Sequence, residues 1–117
     1  MSPKADRRGT ARIRVKLHAR YRSDSVLLDG WVENLSSGGL FLRSDFVDAA
    51  GRRASLRLTL PGEPAPIHAE VEVVRVHAEL SEPGMGIRFV DISPRERRRL
   101  ANFMIERHHE AHLAGHV

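Results

Sequence analysis

The chain has 117 residues, of which 41% are hydrophobic and 29% charged, and it contains no cysteine. That composition fits one folded domain with its own core and excludes disulfides, thiolate metal sites and a cysteine nucleophile. The net charge of +4 is unevenly spread: residues 1–22 carry Lys4, Arg7, Arg8, Arg12, Arg14, Lys16, Arg20 and Arg22 against the single acid Asp6, a balance of +7, so the other 95 residues sum to −3.

An anionic partner is therefore expected at the basic end. No stretch approaches the ~18 consecutive apolar residues that span a bilayer, and no apolar run follows the first residues as in a signal peptide. Together with the lack of cysteine, this predicts a cytoplasmic protein without membrane insertion.

Residues 1–10, with Pro3 and Gly9, read as a flexible basic arm. From 12 to 22 the chain alternates strictly: Ile13, Val15, Leu17, Ala19 and Tyr21 face one way, and Arg12, Arg14, Lys16, His18, Arg20 and Arg22 the other. Period two predicts a strand with one buried face. Ser23-Asp24-Ser25 is a turn, and Val26 to Val32 is a second strand with Gly30 as a candidate bulge. Asn34-Leu35-Ser36-Ser37-Gly38-Gly39 reads as a tight polar turn before a third strand at Leu40-Phe41-Leu42.

Asp45 to Arg53 reads as a loop, and Leu56, Leu58 and Leu60 mark a fourth strand. Pro61 to Pro66 forms a connector. Ile67, Ala69, Val71 and Val73 alternate with polar residues; the register then shifts at Val73-Val74, so that Val74, Val76 and Ala78 continue the apolar face of one bulged strand. After a turn at Glu82-Pro83-Gly84, Met85, Ile87 and Phe89 make the sixth strand. Ser93-Pro94-Arg95-Glu96 is a capping box with proline at the first helical position. Leu100, Phe103 and Met104 carry the helical period from Pro94 to about residue 110, and 111–117 reads as a polar tail. Six short strands without a strand–helix–strand repeat predict an all-β fold: a six-stranded antiparallel β-barrel over 11–110, capped by one C-terminal α-helix.

Two motifs carry functional chemistry. Arg7-Arg8-Gly9-Thr10-Ala11-Arg12 contains R-x-x-x-R from Arg8 to Arg12, and Asn34 to Gly39 reads N-x-S-x-x-G. An arginine fork binds phosphate or the guanine O6/N7 edge in bidentate fashion. A carboxamide and a hydroxyl on a turn hydrogen-bond a base edge, and glycine permits positive φ and close backbone approach. Such a set suits a compact guanine-and-phosphate ligand.

The order and spacing of these motifs resemble the PilZ domain family, over about residues 7 to 106 and including Gly84-Met85-Gly86-Ile87-Arg88-Phe89 and the closing helix. The resemblance implies a six-stranded barrel that binds cyclic di-GMP, often as an intercalated dimer. Carried over, Arg7, Arg8 and Arg12 would hold guanine and phosphate groups, and Asn34, Ser36 and Gly39 would line the pocket. The arm would fold over the ligand and remake a surface for a downstream partner, with the protein a monomer or homodimer.

Two other readings remain. Asn34 to Phe41 also resembles a PilZ subgroup that serves as nucleotide-free interaction adaptors, although the arginine motif often missing there is present here. The +7 arm alone would suit a small nucleic-acid-binding barrel, but an aromatic content of 5% supplies few of the stacking platforms such proteins use. No G-x-S-x-G, P-loop or H-E-x-x-H motif appears, so catalysis is not expected. No metal or cofactor is expected either; His108, His112 and His116, at i, i+4 and i+8, read as part of the tail rather than as a zinc site.

Overall fold

The computed structural model describes residues 12–78 and 81–115, with side chains up to residue 107. It contains six strands, β1 (Ile13–Arg22), β2 (Leu27–Leu35), β3 (Gly39–Arg43), β4 (Arg53–Leu58), β5 (Ile67–His77) and β6 (Gly84–Asp91), followed by one helix, α1 (Pro94–Gly115). All neighbours pair antiparallel, and the sheet closes into a barrel in the order β1-β2-β3-β6-β5-β4. The arm, Arg7 and Arg8, and His116 lie outside the described residues, as do the side chains of His108 and His112.

The alternation expected of β1 is realised: Val15, Leu17, Ala19 and Tyr21 are buried, and their neighbours face outward. Leu28, Val32, Leu35, Leu40, Leu42, Leu56, Leu58, Val71, Val73, Met85 and Ile87 fill the interior with them. A barrel of six strands is narrower than the eight-stranded barrels whose interiors side chains just fill, and among the described residues these buried side chains occupy its interior.

Three features depart from the sequence expectations. Gly30 pairs in register with Ala19 and is not a bulge; the irregularity in β2 comes between Val32 and Asn34. The β5 bulge does fall at Val73–Arg75, but Val74 is the extra residue and points outward, 51% exposed, while Val76 packs on the core. An apolar residue at position 74 predicts an inward side chain, yet a bulged residue has no cross-strand partner. Ala78 is likewise exposed. Finally, α1 continues to Gly115, since Ala111, Leu113 and Ala114 favour helix and no proline interrupts them.

The helix start follows its motif in part. Ser93 Oγ accepts from the Glu96 amide at 3.1 Å, and Ser93 O accepts from the Arg97 amide at 2.9 Å. The Glu96 carboxylate turns instead to Arg99 Nη1 at 2.6 Å. Arg99 is the helix's anchor: its Nε and Nη2 donate to Glu63 at 3.1 and 2.7 Å, and its fork also reaches the Pro66 and Ala65 carbonyls. Arg95, Arg97 and Arg98 stay exposed. Leu100 is buried, with Phe103 and Met104 packed partly on the core.

The far end of the barrel is closed by a buried carboxylate. Asp48, on the β3–β4 loop, accepts from Tyr21 Oη at 2.7 Å, Ser23 Oγ at 2.6 Å and the Ala49 amide at 2.9 Å, and Arg52 Nε lies 3.4 Å away. Burial raises its pKa, but the donors and the Arg52 charge outweigh burial and hold the carboxyl below its ordinary value of 3.8. Burial, then the Asp48 bond, pushes the Tyr21 phenol far up, so it stays a donor. Because Asp48 titrates lower folded than unfolded, its network stabilises fully above pH 3.8 and that contribution fades as pH falls through the lower folded value. Tyr21→Phe should cost about 1–3 kcal/mol at pH 7, the price of leaving a buried acceptor short of a donor. In urea denaturation the deficit should shrink at pH 3; an equal deficit at both values would rule the carboxylate out as its source.

Candidate functional site

Of the motif residues, the described ones, Arg12, Asn34, Ser36 and Gly39, lie at one end of the barrel. Arg12 is exposed immediately before β1, and Arg14 pairs across strands with Asn34. Asn34 is half-buried and lies within β2 rather than in a turn; it pairs on its other side with Phe41 of β3. Without an irregularity, parity with buried Val32 would aim Asn34 into the core. The bulge between Val32 and Asn34 leaves Glu33 as the extra residue, so Asn34 falls in the outward row and Leu35, paired with Leu40, resumes the buried one. Glu33 forms an ion pair with Arg43, which also reaches Glu82 at 3.2 Å.

Ser36 and Gly39 build the turn. Ser36 is buried, and its Oγ accepts from the Gly38 and Gly39 amides at 3.3 and 3.2 Å and donates to Gly39 O at 3.2 Å. The Ser36 amide bonds the same carbonyl at 2.8 Å. Its hydroxyl is thus spent on the turn's own backbone, a role that fits serine's habit of local side-chain bonding. Gly39 does not adopt positive φ; among the described residues only Gly51 and Gly62 do. It is glycine because β6 lies against it: a Cβ there would stand 2.1 Å from Ile87 O and 2.9 Å from Arg88 Cα. Phe89 N completes the seam by donating to Gly38 O at 2.9 Å.

Around this end the outer face is cationic and aromatic. Arg88, opposite Gly39, binds Glu72 through Nη2 at 2.6 Å. Trp31 is 46% exposed on the outer face, with Lys16 Nζ 5.1 Å above its ring and His18 edge-on at 5.7 Å. Sequence reasoning gave Phe41 only a strand position and gave Arg75 no role. The structure places both in the row that contains Asn34, which runs Arg14–Asn34–Phe41–Gly86–Arg75. The one signal available was the G-x-G of β6, which marks a strand face lacking side chains. Among the described residues, no group of His, Asp and Glu could hold a metal, and no helix is long and apolar enough to cross a membrane.

A family model, the PilZ domain, matches residues 6–106. The chain belongs to the PilZ domain family. No curated protein matches it, but solved structures share its fold. The structure of YcgR from Escherichia coli in complex with c-di-GMP aligns with a TM-score of 0.77 at 20% identity, covering 93% of this chain and 49% of that one. The separate PilZ domain of YcgR with c-di-GMP aligns with a TM-score of 0.71 at 18% identity, covering 93% and 97%. The Bacillus subtilis inhibitor of motility, MotI/DgrA, aligns with a TM-score of 0.75 at 19% identity, covering 86% and 51%. The chain therefore spans about half the length of the MotI chain and of the YcgR chain in the complex, and likeness at this identity establishes the barrel-and-helix architecture.

The division of labour in this PilZ turn is measurable without ligand. Gly39→Ala forces β3 from β6 and should destabilise by about 1–3 kcal/mol. Ser36→Ala strands two amides and should cost a similar amount. Asn34→Ala removes a side chain for which no hydrogen bond is seen among the described residues and should stay within about 0.5 kcal/mol. Urea denaturation of the three variants gives the order; an Asn34→Ala loss as large as the other two would make Asn34 part of the turn's scaffold.

Proposed function

We propose that this chain is a cyclic di-GMP receptor domain whose ligand lies on the outer barrel face beside the Ser36–Gly39 turn, and that it binds rather than catalyses. The observation that carries this reading is Asn34: a bulge turns its carboxamide out of the barrel, next to Arg14 and at the strand end where Arg12 enters. A carboxamide and arginine forks on one face offer the acceptors and donors that a guanine edge and a phosphodiester need. Membership of the PilZ family supports the reading, as do shared folds with YcgR and with PlzA of Borreliella burgdorferi, whose structures are complexes with c-di-GMP.

In this account Arg7, Arg8 and Arg12 take the phosphates and a guanine edge from one side. Asn34 takes a base edge from the other, and Ser36 and Gly39 form the floor that holds Asn34 in place. The ligand sits as one molecule or an intercalated pair. Binding draws residues 1–10 over the face and so remakes a surface for a downstream protein. The domain works in the cytoplasm, as monomer or homodimer.

Calorimetric titration with cyclic di-GMP, with GTP and cyclic GMP as controls, tests the proposal. Saturable binding of the cyclic dinucleotide alone is expected. Arg12→Ala and Asn34→Ala should each weaken it about ten- to a hundredfold, the scale of a lost charge-assisted or base-edge hydrogen bond. No heat with the parent protein, or parental affinity in both variants, would overturn it.

A further inference from the structure

The outer faces of β3, β5 and β6 carry a flat shelf that none of the motif residues builds. On β6 the inward residues are Met85 and Ile87, so Gly84 and Gly86 face outward and leave bare backbone. Two side chains from neighbouring strands lie over it. The Phe41 ring crosses Gly84, with Cζ and Cε2 2.5 and 2.6 Å from where a Cβ would stand. Arg75 curls across Gly86, with its Cβ, Nε and Nη2 3.4, 3.5 and 3.5 Å from the corresponding point. His77 meets Phe41 edge-on at 5.6 Å.

Arg75 reaches this face because of the bulge at Val74. Parity with Ile67, Ala69, Val71 and Val73, all buried, would send Arg75 and His77 inward. The extra residue flips both into register with Gly86 and Gly84 and lets Val76 pair with Met85 inside. Bulges of this kind re-aim side chains beside functional sites. The guanidinium is exposed and forms no ion pair among the described residues. Arginine planes and aromatic rings are the surfaces on which nucleobases stack.

We infer that Arg75, seated on Gly86 beside Phe41, is a stacking platform for a purine base of the bound nucleotide, in the same cross-strand row as Asn34. The inference rests on the cyclic di-GMP reading above and adds to it: Asn34 reads a base edge while Arg75 carries a base face. It assigns Arg75 a planar contact rather than a charge contact, and that distinction is testable.

Cyclic di-GMP is titrated into the parent, Arg75→Ala and Arg75→Lys, with melting temperatures recorded for each. Arg75 is exposed, so both variants should melt like the parent. Loss of a base-stacking contact should weaken binding in Arg75→Ala about five- to a hundredfold, and Arg75→Lys, which keeps charge but no plane, should stay close to Arg75→Ala. Affinity within twofold of the parent in Arg75→Ala, while Arg12→Ala loses binding, would sink the shelf and leave the receptor reading intact. Full recovery in Arg75→Lys would replace stacking with a simple charge contact. A parent that binds no cyclic di-GMP would take both readings down together.

Discussion

The approach of β3 to β6 at Gly39 is the constraint on which the functional face depends. With Ile87 O 2.1 Å from the position of a Cβ, any side chain there would pry the two strands apart and break the pairing that runs from Gly39↔Arg88 to Arg43↔Gly84. That pairing aligns Phe41 with Gly86 and brings β5 into the same surface. Ser36 holds the turn from inside, taking up the amides of Gly38 and Gly39 that the sharp chain reversal would leave without partners. Ser36 and Gly39, two fixed positions of the turn motif, thus set the platform on which the neighbouring side chains stand.

Those neighbours reach the surface by breaking the inside–outside rule of the barrel. The alternation in β1, β4 and the first half of β5 is regular, and it fills the interior with apolar side chains. Where β2 and β5 carry an extra residue, Glu33 and Val74, polar side chains change sides. Each bulge costs local ladder pairing, and each moves a hydrogen-bonding residue, Asn34 or Arg75, onto one shared face. At the far end the buried Asp48 network closes the barrel, with its donors drawn from β1, the turn after it and the β3–β4 loop.

The strands were legible because one buried face imposes a period of two, and β1 shows that pattern over its whole length. The helix start was legible from Ser93 and Pro94, and the family from the spacing of Arg8, Arg12, Asn34, Ser36 and Gly39. What the sequence hid depended on long-range pairing. Val74 is apolar, which predicts an inward side chain, but its missing partner on β6 decides its side. Asn34 reads as a turn residue in sequence because the bulge that carries it within β2 is defined by β3. The Tyr21–Asp48 bond spans 27 positions and has no local signature. Arg75 carries no local signal, since only the pairing of β5 with β6 sets it against Gly86.

The account's central claim is that the ligand lies on the outer face formed by β2, β3, β5 and β6. Amide chemical shifts of the protein titrated with cyclic di-GMP test it most directly. The account predicts perturbations at Asn34, Phe41, Arg75, Gly86 and the Ser36–Gly39 turn, with Ser55, Arg57 and His68 on the β4–β5 face unmoved. Perturbations centred on that opposite face, or none at saturating ligand, would contradict it.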